Sequence, residues 1–149
     1  MATVPIQVEG NSILVQGSVN NQDIIFIIDT GDAVGPVFNA EDAKRLELKN
    51  EGPLDVSGAG GNVKIYATKA SIHLGGIVFE DEPGAVDANL QGPSLLGLPF
   101  FIKQGGIMAF DFQNNTLSIG SSYVAKSHRR FDVLVERWIH HDSDDVEGE

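Results

Sequence analysis

Phe26-Ile27-Ile28-Asp29-Thr30-Gly31 is the stretch on which the reading of this chain turns. Ile24–Ile28 is a continuous apolar run of strand length, the pattern expected of a strand covered on both faces. A carboxylate ends it, and Thr and Gly follow at once. Asp, Thr and Gly are ordinary turn residues, so the three alone indicate only the end of a strand. Their chemical weight depends on what surrounds them.

Upstream, Val4, Ile6 and Val8 alternate with polar neighbours, and Ser12–Val19 forms a second strand-like segment closed by the turn signal Asn20-Asn21. Downstream, Gly35-Pro36 marks a turn. A short helix is expected over Glu41–Leu48, with Asn39 as N-cap, Glu41 and Asp42 in the first turn, and Ala43 and Leu46 facing inward. Ser57-Gly58-Ala59-Gly60-Gly61-Asn62 reads as a hairpin tip. Val63–Leu74 follows as a long strand ended by Gly75-Gly76, with shorter strands at Ile77–Phe79 and Ala85–Val86. Leu95-Leu96-Gly97 is expected to open a second short helix, with Pro99 in its first turn, where a missing N–H costs nothing. Ile107–Phe112, the turn Asn114-Asn115 and Thr116–Ile119 make a hairpin.

Composition agrees with a strand-rich domain. The chain has 149 residues, a one-domain length that buries roughly two-thirds of its unfolded surface. Gly accounts for 17 residues and hydrophobic residues for 42%, which favours strands and turns over a helical bundle and argues against wholesale disorder. Cys is 0, which excludes a disulfide scaffold, a thiolate metal site and a cysteine nucleophile. Ten basic residues against 21 acidic ones give a net charge of −11, a surface that repels nucleic acid and anionic membranes. No apolar run approaches the roughly 20 residues of a membrane-spanning helix, and no charged-then-apolar leader opens the chain. The expected location is cytoplasmic, with no nucleic-acid or membrane partner.

The motifs, taken in order, resemble the retropepsin-like aspartic proteases, in particular their single-domain bacterial members. The resemblance covers residues 4–120. It rests on the hydrophobic-hydrophobic-Asp-Thr-Gly motif at residues 27–31, the helix at Glu41–Leu48, and the Gly-rich segment at Ser57–Asn62. It continues through Leu95-Leu96-Gly97 with Leu98-Pro99-Phe100-Phe101, and the hairpin Ala109-Phe110-Asp111-Phe112 to Leu117-Ser118-Ile119. The resemblance implies an all-β fold: a closed retropepsin-like barrel with a flap hairpin and one or two short helices, half of a pepsin-type bilobal enzyme. The protease domain would span residues 1–120. Residues 121–149 would be a C-terminal extension, with an amphipathic helix over 129–140 and then an acidic disordered tail.

The implied activity is that of an aspartic endopeptidase. Hydrolysis without a metal or a covalent nucleophile needs an activated water, and two adjacent carboxylates sharing one proton supply it. The chain has a single Asp-Thr-Gly, so a monomer would hold half a site. The expectation is a two-fold homodimer acting on a peptide or protein substrate, without cofactor or metal. The resemblance assigns catalysis to Asp29 and support of its loop to Thr30 and Gly31, and Asp32 is counted with them as part of the supporting loop. It makes Gly58, Ala59, Gly60 and Gly61 the flap and has Leu95, Leu96 and Gly97 pack beside the loop.

One position departs from the family. Ala or Ser usually follows the motif Gly, and here Asp32 does. Viral members carry an acidic residue one position later, where this chain has Ala33. If Asp32 faced the two-fold axis, the added charge would raise the proton affinity of the Asp29 pair. The plainer expectation is that it points to solvent or caps a nearby backbone N–H. The alternative function is a catalytically inactive module of the same fold that binds peptide or dimerises. A third reading is a structural subunit that docks through the C-terminal extension.

The remaining candidates are ordinary. Asp111 suits hydrogen bonding at its hairpin. His140, His141 and Asp142 lie in a polar tail without a rigid frame for a metal. Gly58–Gly61 lacks the Lys-Ser/Thr of a phosphate loop. Trp138 and Phe131 read as a packing face.

Overall fold

The computed structural model describes residues 2–32, 34–54 and 65–120. The flap tip at Gly58–Gly61 and the whole of 121–149, including the helix expected over 129–140, lie outside the described residues. The strands are β1 (Ala2–Pro5), β2 (Gln7–Glu9), β3 (Ser12–Val19), β4 (Gln22–Asp29), β5 (Pro36–Phe38), β6 (Ile65–Leu74), β7 (Ile77–Asp87), β8 (Ser94–Gly97), β9 (Ile107–Asp111) and β10 (Thr116–Gly120). Two short helices, α1 (Ala40–Arg45) and α2 (Leu98–Lys103), stand between them.

Strand pairing runs β3-β4-β8-β5-β7-β6, and β6 returns to β3 through Gly17↔Leu74 and Ser18↔His73. That return closes a barrel and removes the free edges of the ring. β2 pairs with the first half of β3, and β1, β10 and β9 form a separate antiparallel sheet. The fold is all-β and retropepsin-like, as the resemblance implied.

Local chemistry explains the closures. Asn20 and Asn21 both have positive φ, 53° and 64°, so the β3–β4 hairpin turns on two residues with the twist a hairpin favours. The core is built from alternating inward residues such as Val15, Val19, Ile24 and Phe26, joined by Phe38, Leu96, Phe100, Phe101 and Phe110. Phe26 and Phe38 meet edge to face at 5.8 Å, and Phe100 meets both Phe79 and Phe101 in the same way.

The structure corrects several sequence-based expectations. The apolar run Ile24–Ile28 of β4 is not covered on both faces: Ile25 is 49% exposed while Ile24 and Phe26 are buried. Leu95-Leu96-Gly97 does not open a helix. It ends β8, with Gly97 as the N-cap of α2 and Pro99 in that helix's first turn. Ile77–Phe79 and Ala85–Val86 are parts of one strand, held together by pairing along β6 despite Pro83-Gly84. Gly84 there lies against the Pro36 carbonyl, where a Cβ has no room. Pro36–Phe38, to which no element was assigned from sequence, is the strand β5 between β7 and β8.

α1 is shorter than Glu41–Leu48, ending at Arg45, with Asn39 as its N-cap. The Asn39 side chain accepts the Asp42 N–H at 2.6 Å and donates to the Gly92 carbonyl at 2.8 Å. Replacing Asn39 by Ala removes both bonds. We expect a loss of about 1–2 kcal/mol in denaturant unfolding. An unchanged unfolding midpoint would mean that the cap contributes nothing.

Candidate active site

β4 delivers Asp29 at its last residue, next to β8 in parallel register: Ile27↔Leu95, Ile28↔Leu96, Asp29↔Gly97. Leu95–Gly97 therefore flanks the loop directly. Side chains alternate along a strand, so Ile27 and Asp29 share one face of the sheet. Leu95, level with Ile27, joins that face, and all three are half-buried. Leu96 and Phe26 are buried on the other side and anchor the strand ends in the core. The carboxylate thus stands at the margin of the barrel, with apolar side chains beside it and a rigid base behind it.

The loop after Asp29 is fixed by its own backbone. The Gly31 N–H donates to Asp29 Oδ1 at 2.9 Å, the short turn that Asp makes with the amide two residues on. The Asp32 N–H donates to the Asp29 carbonyl at 3.1 Å. Two further bonds tie this loop to the β8–α2 junction: Leu98 N–H to the Asp32 carbonyl at 3.2 Å, and Gly97 N–H to the Gly35 carbonyl at 2.8 Å. Thr30 is half-buried and Gly31 exposed. A Cβ on Gly31 would stand 3.2 Å from Asp29 Oδ1, close enough to press on the carboxylate.

Asp32 does not extend into solvent. Its Oδ1 accepts the Val34 N–H at 2.7 Å, which meets the expectation of a capped backbone amide. Its Oδ2 is buried and has no hydrogen-bond partner. The carboxyl lies against Gly97, where a Cβ would overlap both the side chain and the carbonyl of Asp32. Burial pushes the Asp32 carboxyl above the ordinary carboxylate range. Amide bonds from Val34 and Gly35 pull it partly back, and the charge of Asp29 adds to the upward push. The approach of Asp32 to Gly97 spans 65 positions in sequence, and no local pattern announces it.

Residues 51–54 pair with the start of β6, on either side of the segment 55–64 that lies outside the described residues. Glu51 and Leu54 donate to the carbonyls of Ala67 and Ile65, Ala67 donates to that of Gly52, and Pro53 bridges Tyr66. Gly58, Ala59, Gly60 and Gly61 themselves lie outside the described residues. Asp111 serves its hairpin, accepting from the Gln113 and Asn114 amides and from the Asn114 side chain. These bonds end β9 one residue earlier than the expected Phe112. A cleft of about 630 Å³ lies toward the other end of β4, lined by Asp23, Ile25, Glu41, Asp42 and Arg45, and does not include Asp29. Among the described residues there is no cluster of three or more His, Cys, Asp or Glu able to hold a metal. Nor, among them, is any helix long and apolar enough to cross a membrane.

The barrel thus places Asp-Thr-Gly at a strand end, in parallel register beside a hydrophobic-hydrophobic-Gly strand. The sequence model of the family described as "gag-polyprotein putative aspartyl protease" matches residues 15–103, more than half of the chain, and the chain belongs to that family. Solved structures share the fold. A retropepsin-like aspartic protease from Rickettsia conorii aligns at 21% identity with a TM-score of 0.55, covering 78% of this chain and 86% of that one. The retroviral protease-like domain of Ddi1 from Leishmania major aligns at 16% identity and TM-score 0.58, over 85% and 98%. EIAV protease, in complex with the inhibitor HBY-793, aligns at 21% identity and TM-score 0.52, over 66% and 95%. No curated protein sequence matches the chain.

Proposed function

We propose that this protein is an aspartic endopeptidase that works as a homodimer. Two Asp29 carboxylates, one from each protomer, meet across a two-fold axis and share a proton. The ionised carboxylate takes a proton from water, and the protonated one donates to the scissile carbonyl oxygen. The pair titrates as a unit, so neither pKa belongs to one residue. Thr30 braces the two loops across the axis, and Gly31 leaves room for the substrate backbone. Gly58–Gly61 folds over an extended peptide held as an added strand. Residues 1–120 make up the protease domain and 121–149 an extension to it.

The observation that carries this reading is Asp29 itself. It sits at a barrel strand end, its carboxylate oriented by the Gly31 amide and flanked by Ile27 and Leu95, with one such motif per chain. The second reading, a binding module without turnover, draws on Asp32, a second carboxyl in the Asp29 loop where the family usually carries Ala or Ser.

Digestion of a peptide library from acidic to neutral pH, alongside mass measurement in solution, separates the two. The protease reading expects dimer mass and cleavage blocked by a statine-type transition-state mimic. A strict monomer, or peptide binding without cleavage at every pH, would overturn it.

A further inference from the structure

We propose that Asp32 is a positioning residue whose protonation controls the Asp29 loop: neutral, it holds the loop in place, and ionised, it loosens it. The proposal builds on the protease reading and adds to it a residue that sets the pH range of the reaction.

Geometry carries the argument. One oxygen of Asp32 is satisfied by the Val34 amide, and the other is buried without a partner. A neutral carboxyl tolerates that arrangement. An ionised one places negative charge on a carboxyl whose Oδ2 is buried, a cost that the Val34 and Gly35 amides offset only in part. The room for the carboxyl to turn is restricted. Gly97 packs against it on one side, and its own backbone is pinned by the Leu98 N–H and by its bond to the Asp29 carbonyl. Relief therefore falls mainly to movement of the loop itself, and that loop carries Asp29.

The charged surroundings add to the effect. β4 contributes Asp29, a like charge. The β8–α2 junction presents Leu96, Gly97 and Leu98, and the start of β5 presents Gly35 and Pro36, none of them titratable. Among the described residues no cation is placed to compensate. The raised proton affinity of Asp32 follows from burial first.

The sign is that of a group whose proton is held more tightly in the folded state. Its stabilising contribution is full below the ordinary carboxylate range and is lost as pH rises through the raised value. Catalysis by a correctly placed Asp29 pair should fade over the same interval, giving the alkaline limb of the rate profile.

The test compares wild type with Asp32→Asn, which keeps an acceptor for Val34 and cannot ionise, and with Asp32→Ser as a second neutral variant should the first fold poorly. In wild type, carbon-13 NMR of the Asp32 carboxyl should titrate above the ordinary range, and the Gly31 and Val34 amide shifts should follow the same midpoint. Both responses disappear in the variants. The alkaline limb of the peptide-cleavage profile should move to higher pH in both variants.

An ordinary Asp32 midpoint, or Gly31 and Val34 shifts that ignore it, overturns the proposal. So does an alkaline limb that stays in place in both variants. If no form of the protein cleaves peptide but the amide shifts still follow Asp32, the protease reading fails while the control of the loop by Asp32 stands.

Discussion

If the protein works as proposed, Asp29→Asn should abolish peptide cleavage, lowering the rate by at least about 10³-fold, and leave the fold and the proposed dimer intact. Asn presents the same carbonyl-type oxygen to the Gly31 N–H, so the turn that holds the side chain at 2.9 Å survives. What it cannot do is take a proton from water or share one with a twin. The melting temperature and the mass in solution should therefore match wild type while turnover disappears.

A sharper version mixes the two forms. After subunit exchange at equal concentrations, about a quarter of the dimers are wild type on both sides, and the mixed dimers hold one carboxylate. Activity should fall to about a quarter of the wild-type value, whereas independent monomers would retain half. A result at half would remove the shared site, and full activity in the pure variant would remove Asp29 from the mechanism.

The part of this site that sequence could reveal was the part encoded locally. Asp29-Thr30-Gly31 is contiguous, and the strand Ser12–Val19 and the cap Asn39 are each set by neighbours within a few positions. The closed barrel was legible only through the order of several motifs.

Reading failed where a distant partner decided the outcome. Leu95–Gly97 looks like the start of a helix because Leu98-Pro99 follows, but parallel pairing with Ile27–Asp29 draws it into the sheet. Gly35-Pro36 and Pro83-Gly84 look like turns because Gly and Pro usually make them. Here β5 is pinned between β7 and β8, and β7 runs through its Pro-Gly step because β6 pairs along it. The Ile24–Ile28 run suggested a strand covered on both sides. Yet Ile25 faces out over the cleft near α1, where polar and charged side chains rather than a covering layer surround it. Asp32 was visible as an anomaly, and its capping of Val34 was foreseeable from Asp chemistry. Its contact with Gly97 was not, since it exists only once β4 and β8 lie side by side.

That contact yields the second large effect. Gly97 has φ −97° and ψ 175°, extended backbone open to any residue, so Gly97→Ala carries no conformational penalty of its own. The penalty is steric. A Cβ there would collide with the Asp32 carboxyl and with the Asp32 carbonyl oxygen, which the Leu98 N–H holds at 3.2 Å. The carboxyl could turn but the hydrogen-bonded carbonyl could not, so the destabilisation should reach the upper part of the overpacking range, about 3 kcal/mol.

The displacement also reaches the chemistry, because the Asp32 N–H is bonded to the Asp29 carbonyl at 3.1 Å. A shift of the loop by about 1 Å moves the carboxylate off its partner across the axis, and activity should drop about 10²-fold even where the protein remains folded. Adding Asp32→Ala to Gly97→Ala deletes the colliding carboxyl but not the colliding carbonyl. Stability should recover in part, with a coupling of at least about 0.5 kcal/mol between the two substitutions. Strict additivity in that cycle would show that the two residues do not press on each other. A Gly97→Ala protein that melts and cleaves like wild type would show that β8 is not wedged against the Asp29 loop.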